Sequence, residues 1–142
     1  GPGQEAVEVE VEQLADPRFD AAVDAVNAGD WDVAKRAYQE ILNTDPSDLD
    51  AQGGLIMAGI FERTDGVTSP PGDSFDELLV VADIAAASGE WKNAFSAVVR
   101  AVQASAGPER ELARTRIVEY FVLAGEDPSV PGARIALANA LF

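Results

Sequence analysis

The sequence predicts an all-α fold of about seven helices arranged as helical hairpins, and three observations carry that reading. From Asp16 onward apolar residues recur at i, i+3, i+4 and i+7. Gly and Pro punctuate the chain at intervals that suit short turns between helices. Only one run alternates, Val7, Val9 and Val11 between Glu8, Glu10 and Glu12, and a lone strand leaves its backbone groups unmatched. Residues 1–15 are therefore expected to be a protease scar (Gly1, Pro2, Gly3) and a disordered acidic linker, with an edge strand as the alternative.

The helices follow in order. Asp16-Pro17 supplies an N-cap and a first-turn proline for a helix that buries Phe19, Ala22, Val23 and Val26. Gly29-Asp30 ends it and caps a second helix with the stripe Trp31, Ala34, Tyr38, Ile41 and Leu42. Asp45-Pro46 is expected to start a third, with Leu49, Gly53, Ile56, Met57, Ile60 and Phe61 facing inward. Residues 65–74 are dense in Gly and Pro and read as a loop. Ser74 and Glu77 have capping-box spacing for a fourth helix, whose apolar face is Phe75, Leu78, Leu79, Ala82, Ala85 and Ala86. Trp91, Ala94, Phe95, Val98 and Val102 mark a fifth, and Ala113, Ile117, Tyr120 and Phe121 a sixth opened by Gly107-Pro108. A seventh, over residues 130–141, gathers Ala133, Leu137, Ala140 and Leu141.

Composition removes most chemistry. The 142 residues hold 25 acidic against 10 basic side chains, a formal charge of −15, with no Cys and no His. So acidic a chain is not built to neutralise a phosphate backbone, and no nucleic-acid partner is expected. Without Cys or His there is no disulfide, thiol nucleophile, imidazole-bound metal or Ser-His-Asp triad, so neither an enzyme nor a cofactor is expected. No apolar run approaches the roughly 20 residues that span a bilayer, and no basic segment precedes an apolar core, so a cytoplasmic location without membrane contact is expected. Two Lys beside eight Arg, with much Ala and Val, suggest a GC-rich bacterial source.

A shift of 60 residues aligns the chain with itself. Ala22, Ala25, Gly29, Trp31, Ala34 and Ala37 fall on Ala82, Ala85, Gly89, Trp91, Ala94 and Ala97. The same shift carries Met57, Ile60 and Phe61 onto Ile117, Tyr120 and Phe121. This is a duplicated three-helix unit (residues 16–64 and 75–124) joined by the 65–74 loop and closed by a capping helix over 127–142. Trp31 and Trp91 are expected as buried wedges of equivalent hairpins. In each copy a turn Gly is followed by Trp, then a small Ala that lets two helices approach, then a bulky residue.

That spacing resembles the tetratricopeptide (TPR) pattern. The succession DPRFDAAVDAVNAGDWDVAKRAYQEILNTDPSDLDAQGGL, the Pro/Gly loop, ADIAAASGEWKNAFSAVV and an Ala-rich last helix ending Leu-Phe is similar to the C-terminal domain of YbbN/CnoX-type thioredoxin-like proteins, the chaperedoxins. The resemblance spans residues 16–142. It implies an interaction domain that follows a thioredoxin-like domain, holds unfolded client proteins and delivers them to the chaperonin; with no Cys here, it implies no redox role.

Apparent sites have simpler readings. Gly72-Asp73-Ser74 lacks the His an esterase serine needs and reads as a cap. Asp45, Asp48 and Asp50 lack the spacing of a calcium loop and read as helix N-terminal charge. Arg110, Arg114 and Arg116, mixed with Glu109, Glu111 and Glu119, read as a solvated ion-pair face, with a site for an anionic partner as the alternative. The candidate contacts for protein partners are Met57, Phe61, Leu141 and Phe142: Met for its adaptability beside a loop, the terminal pair because nothing after it encloses it; the alternatives are core packing for Met57 and Phe61 and folding back over the last core layer for Leu141 and Phe142. The functional alternative is a spacer whose acidic surface keeps a longer protein soluble and orients its thioredoxin-like domain.

Overall fold

The computed structural model describes residues 16–142; the scar, linker and edge-strand readings of residues 1–15 lie outside the described residues. The described part is all α-helical. A 3₁₀ turn (Pro17–Phe19) leads into α1 (Asp20–Asn27), α2 (Trp31–Thr44), α3 (Leu49–Thr64), α4 (Phe75–Ala87), α5 (Trp91–Gln103), α6 (Gly107–Ala124) and α7 (Val130–Leu141). The chain divides into two compact units between Ala58 and Gly59, within α3.

In the first unit α1 packs on α2. Its core is built from small residues: Ala22, Ala25, Ala34, Ala51 and Ala58 are buried along with Ile41. Small side chains let helix axes approach, and Gly54 of α3 goes further, lying against the Tyr38 ring where a Cβ would collide. Val23, expected inward, is exposed, because the buried face of α1 centres on Ala22 and Ala25. The first-turn signal at Asp16 is real but caps the 3₁₀ turn, its carboxylate accepting from the Arg18 amide at 3.0 Å.

The third helix begins at Leu49, later than Asp45-Pro46 suggested. Asp48 is the effective cap, its Oδ1 accepting from the Ala51 amide at 2.9 Å. Leu49 thus falls in the first turn and is 74% exposed rather than inward. Asp45, Asp48 and Asp16 surround Arg18, with N···O distances of 3.6, 3.0 and 2.9 Å, so this acidic cluster holds a guanidinium.

In the second unit α5 is central, packing against α4, α6 and α7. Its sequence is correspondingly apolar on most sides: Ala94, Phe95, Ala97, Val98, Val99, Ala101 and Val102 are all buried. The capping box of α4 forms as expected, Ser74 accepting from the Glu77 amide and Glu77 accepting from the Ser74 amide.

The 60-residue shift is visible in backbone detail. Gly29 and Gly89 adopt φ of +71° and +72°, and each precedes an amide that reaches back to close the helix end: Asp30 to the Ala25 carbonyl and Glu90 to the Ala85 carbonyl, both at 2.9 Å. These are Schellman-type endings with glycine in the left-handed region. Trp31 and Trp91 each open the following helix, but both are half-buried rather than enclosed.

Candidate protein-docking site

The site lies in the second unit, along α6 and α7. Helix α6 starts at Gly107, whose φ of +61° turns the chain, and Arg110 fixes the corner by donating from Nε to the Ser105 carbonyl at 2.8 Å. Its stripe Ala113, Ile117 and Tyr120 is fully buried. Val118 and Val122, one turn apart on another face, are exposed. After Gly125, Asp127 shapes the entry to α7: its carboxylate accepts from the Ser129 amide at 3.1 Å and from the Ser129 hydroxyl at 2.5 Å. Those bonds hold its carboxyl below the usual range, the hydroxyl contributing most.

Helix α7 buries Val130 and Ala133 and leaves Ile135 in water; Phe142, just past its end, is in water too. Between the two helices runs an open groove of about 610 Å³. Its walls are Val118, Phe121 and Val122 from α6 and Arg134, Leu137, Ala138 and Leu141 from α7, with Phe142 at its end. Phe121 is anchored from within by Phe95 at 5.0 Å between ring centroids, and Phe95 stacks in turn on Trp91 at 6.1 Å. The Arg134 guanidinium lies 5.0 Å above the Phe121 ring. A second groove, of about 890 Å³, runs between α5 and α7 over Phe95, Val99, Ala133 and Ala136.

Beneath α6 lies the most buried charge among the described residues. Asp83 of α4 is 3% exposed. Its Oδ2 accepts from Arg63 Nε at 2.7 Å and Arg116 Nη1 at 2.8 Å; its Oδ1 accepts from Tyr120 Oη at 2.5 Å and Arg63 Nη2 at 3.1 Å. The carboxylate thereby ties α3, α4 and α6 together and sets where α6 stands. Burial, with the adjacent Asp83 charge, pushes the Tyr120 hydroxyl far above the usual tyrosine range, so it stays a donor. Glu119, half-buried beside this cluster, is also raised, burial outweighing the pull of Arg63 and Arg116.

Arg116 was expected on a solvated face and is instead 11% exposed on Asp83. The sequence signal was available: Arg116 lies three residues past Ala113 and four before Tyr120, on the buried stripe, and Asp83 is the lone charge in the apolar run LLVVADIAAA. Arg114 does pair with Glu111 at the surface, as expected.

The expected contact residues separate. Leu141 and Phe142 share the α6–α7 groove, Phe142 fully exposed and Leu141 half-buried. Met57 and Phe61 stand one turn apart on α3, both half-buried, and the division between units falls between them; Phe61 is not part of the groove. Sequence reasoning missed Val118, Val122 and Arg134. No group of three or more acidic side chains among the described residues is placed to hold a metal ion. No helix among them is long and apolar enough to cross a membrane.

Comparison with known proteins gives a consistent result. The tetratricopeptide repeat family matches residues 62–142, more than half of the chain, including the α6–α7 groove. Uncharacterized proteins of Mycobacterium bovis and of two Mycobacterium tuberculosis strains are each 30% identical over 135 residues, covering 89% of this chain. The chain spans 44% of the length of these relatives. No solved structure matches.

Proposed function

This chain belongs to the tetratricopeptide repeat family, a scaffold for protein–protein interaction, and from that premise we propose that it is the interaction domain of a thioredoxin-like co-chaperone. It holds unfolded clients, and docks on the chaperonin, through the α6–α7 groove, with Leu141 and Phe142 as anchors and Met57 and Phe61 as a further contact. The observation that carries this reading is the groove: apolar walls, exposed Val118 and Val122, and a Phe142 ring in water at one end. Monomeric proteins rarely leave such a patch open without a use for it. Burying the Phe142 side chain alone contributes about 1.5–3 kcal/mol, enough to hold a weak, exchangeable client. The resemblance over residues 16–142 supports a thioredoxin-like domain as the covalent partner, and the relatives extend beyond the aligned segment by more than half their length.

An apolar dye and an aggregation-suppression assay with a reduced, unfolded client test this together. The folded chain is expected to bind the dye and to delay client aggregation. Removing Ala140, Leu141 and Phe142 weakens both more than it lowers the melting temperature. An early-melting truncated chain, or one whose client capture is untouched, shows that these residues only cover the core. The second reading, a spacer, is favoured by the charge of −15 and predicts neither dye binding nor client protection.

A further inference from the structure

We propose that the α6–α7 groove reads a carboxylate: it takes an apolar segment of a partner protein that carries one Asp or Glu side chain, and Arg134 pairs with it. This rests on the docking reading above and names the chemistry of what docks.

Arg134 is the exception among the arginines. Each of the seven others donates a side-chain hydrogen bond, to a carboxylate or to a backbone carbonyl. Arg134 makes no ion pair and no side-chain hydrogen bond among the described residues; its one contact is the Phe121 ring beneath it. Arg36 and Arg110 also lack a carboxylate, but each is held by a backbone carbonyl; Arg134 alone has neither, in a chain whose acidic side chains outnumber basic ones 25 to 10. It is also the only charged residue from Pro128 to Phe142, so no acid on its own helix competes for it.

The placement suits recognition. The guanidinium carbon lies 5.0 Å from the centre of the Phe121 ring, and the N–H groups, which make no hydrogen bond among the described residues, can form a two-pronged bond to a carboxylate. Val122 and Leu137 line the same groove, and apolar walls strengthen such a pair by excluding water. A volume of about 610 Å³ lies within the range of small-ligand and side-chain pockets, about 300–1,000 Å³.

The charge pattern also selects the occupant. A second copy docking face to face would bring Arg134 against Arg134 with no acid on either α7, which like charges oppose. A phosphate-rich polymer is opposed by the net charge of −15 and offered a single cation. A mostly apolar segment with one carboxylate satisfies both walls and charge.

The test uses the full chain at physiological salt and two acetylated, amidated 14-residue helical peptides carrying a neutral dye. One has a leucine face with a single central Glu; in the other that Glu is Gln. The Glu peptide is expected to bind about three- to tenfold more tightly by fluorescence anisotropy. That preference should vanish in Arg134→Gln, a variant checked for unchanged helicity by circular dichroism, while Val122→Asp weakens both peptides. Equal binding of the two peptides, or a preference that survives Arg134→Gln, overturns the inference and leaves the docking reading standing. If neither peptide binds, the groove is not a docking site and both readings fall. A dimer at assay concentration that Val122→Asp dissolves assigns the groove to a second copy and overturns the inference.

Discussion

Replacing Asp83 with Ala removes the one acceptor shared by Arg63, Arg116 and Tyr120. The three donors do not suffer equally. Arg63 has a side chain 34% exposed and can turn to water, so its share is small. Arg116, at 11%, and the Tyr120 hydroxyl, on a fully buried residue, have nowhere comparable to go. Removing one partner of a buried ion pair costs about 3–5 kcal/mol, mainly because the other charge stays behind unpaired. Against the roughly 5–15 kcal/mol that holds a domain, this is a large share of the stability of the second unit. Denaturant unfolding followed by far-UV circular dichroism and by Trp91, which lies 6.0 Å from the Tyr120 ring, measures it. The expected result is a large drop in the midpoint. Tyr120→Phe, which removes one donor and leaves both arginines paired, should cost only about 1–2 kcal/mol. A loss below about 1 kcal/mol for Asp83→Ala would mean that water or rearranged side chains replace the carboxylate, and that α6 is positioned by apolar packing alone.

Other consequences can be measured in the same way. Because burial raises Glu119, the folded state holds its proton more tightly than the unfolded chain, so its contribution to stability falls as pH rises above the ordinary glutamate range. Glu119→Gln should therefore be more stable than the parent near neutral pH, with the gap closing at about pH 4 in melting experiments. Gly29→Ala and Gly89→Ala force a side chain into the left-handed region and should each cost about 1–2 kcal/mol; a marked inequality between them speaks against equivalent hairpins. Gly54→Ala must displace the Tyr38 ring and should destabilise the first unit by about 1–3 kcal/mol, seen as an earlier unfolding transition.

Much of the fold was legible because it depends on local signals. Periodicity, turn glycines and the Ser74–Glu77 box each act over a few residues, and all seven helices follow from them. Errors arose where two local signals compete. Asp45-Pro46 and Asp48 are both acceptable starts for α3, and only the Asp48 carboxylate reaches the free amide of the first turn. On α1 the i, i+3, i+4 spacing put Val23 beside Ala22 on the buried face, whereas Ala22 and Ala25 form that face because small residues admit the closer approach. The Asp83 network was not legible in the same way. Its partners stand 20, 33 and 37 residues away, and periodicity shows which residues share a face but not which face meets another. Leu137 and Leu141 of the α6–α7 groove were visible as part of the apolar stripe of α7; Val118 and Val122 sit on a helix whose apolar residues run nearly all round, so no single stripe marked them as exposed.

The charge distribution bears on why such a groove stays available. A charge of −15 on 142 residues repels other copies, and within a screening length of about 8 Å that repulsion is felt wherever acidic side chains line the approach. The stretch from Pro128 to Phe142 has none. The surface is thus most permissive where it is most apolar, and self-association through that face is opposed by its one cation rather than by acids. An acidic body with one acid-free apolar edge suits contact with a different protein better than with a second copy, in keeping with the protein–protein interactions that tetratricopeptide repeats serve.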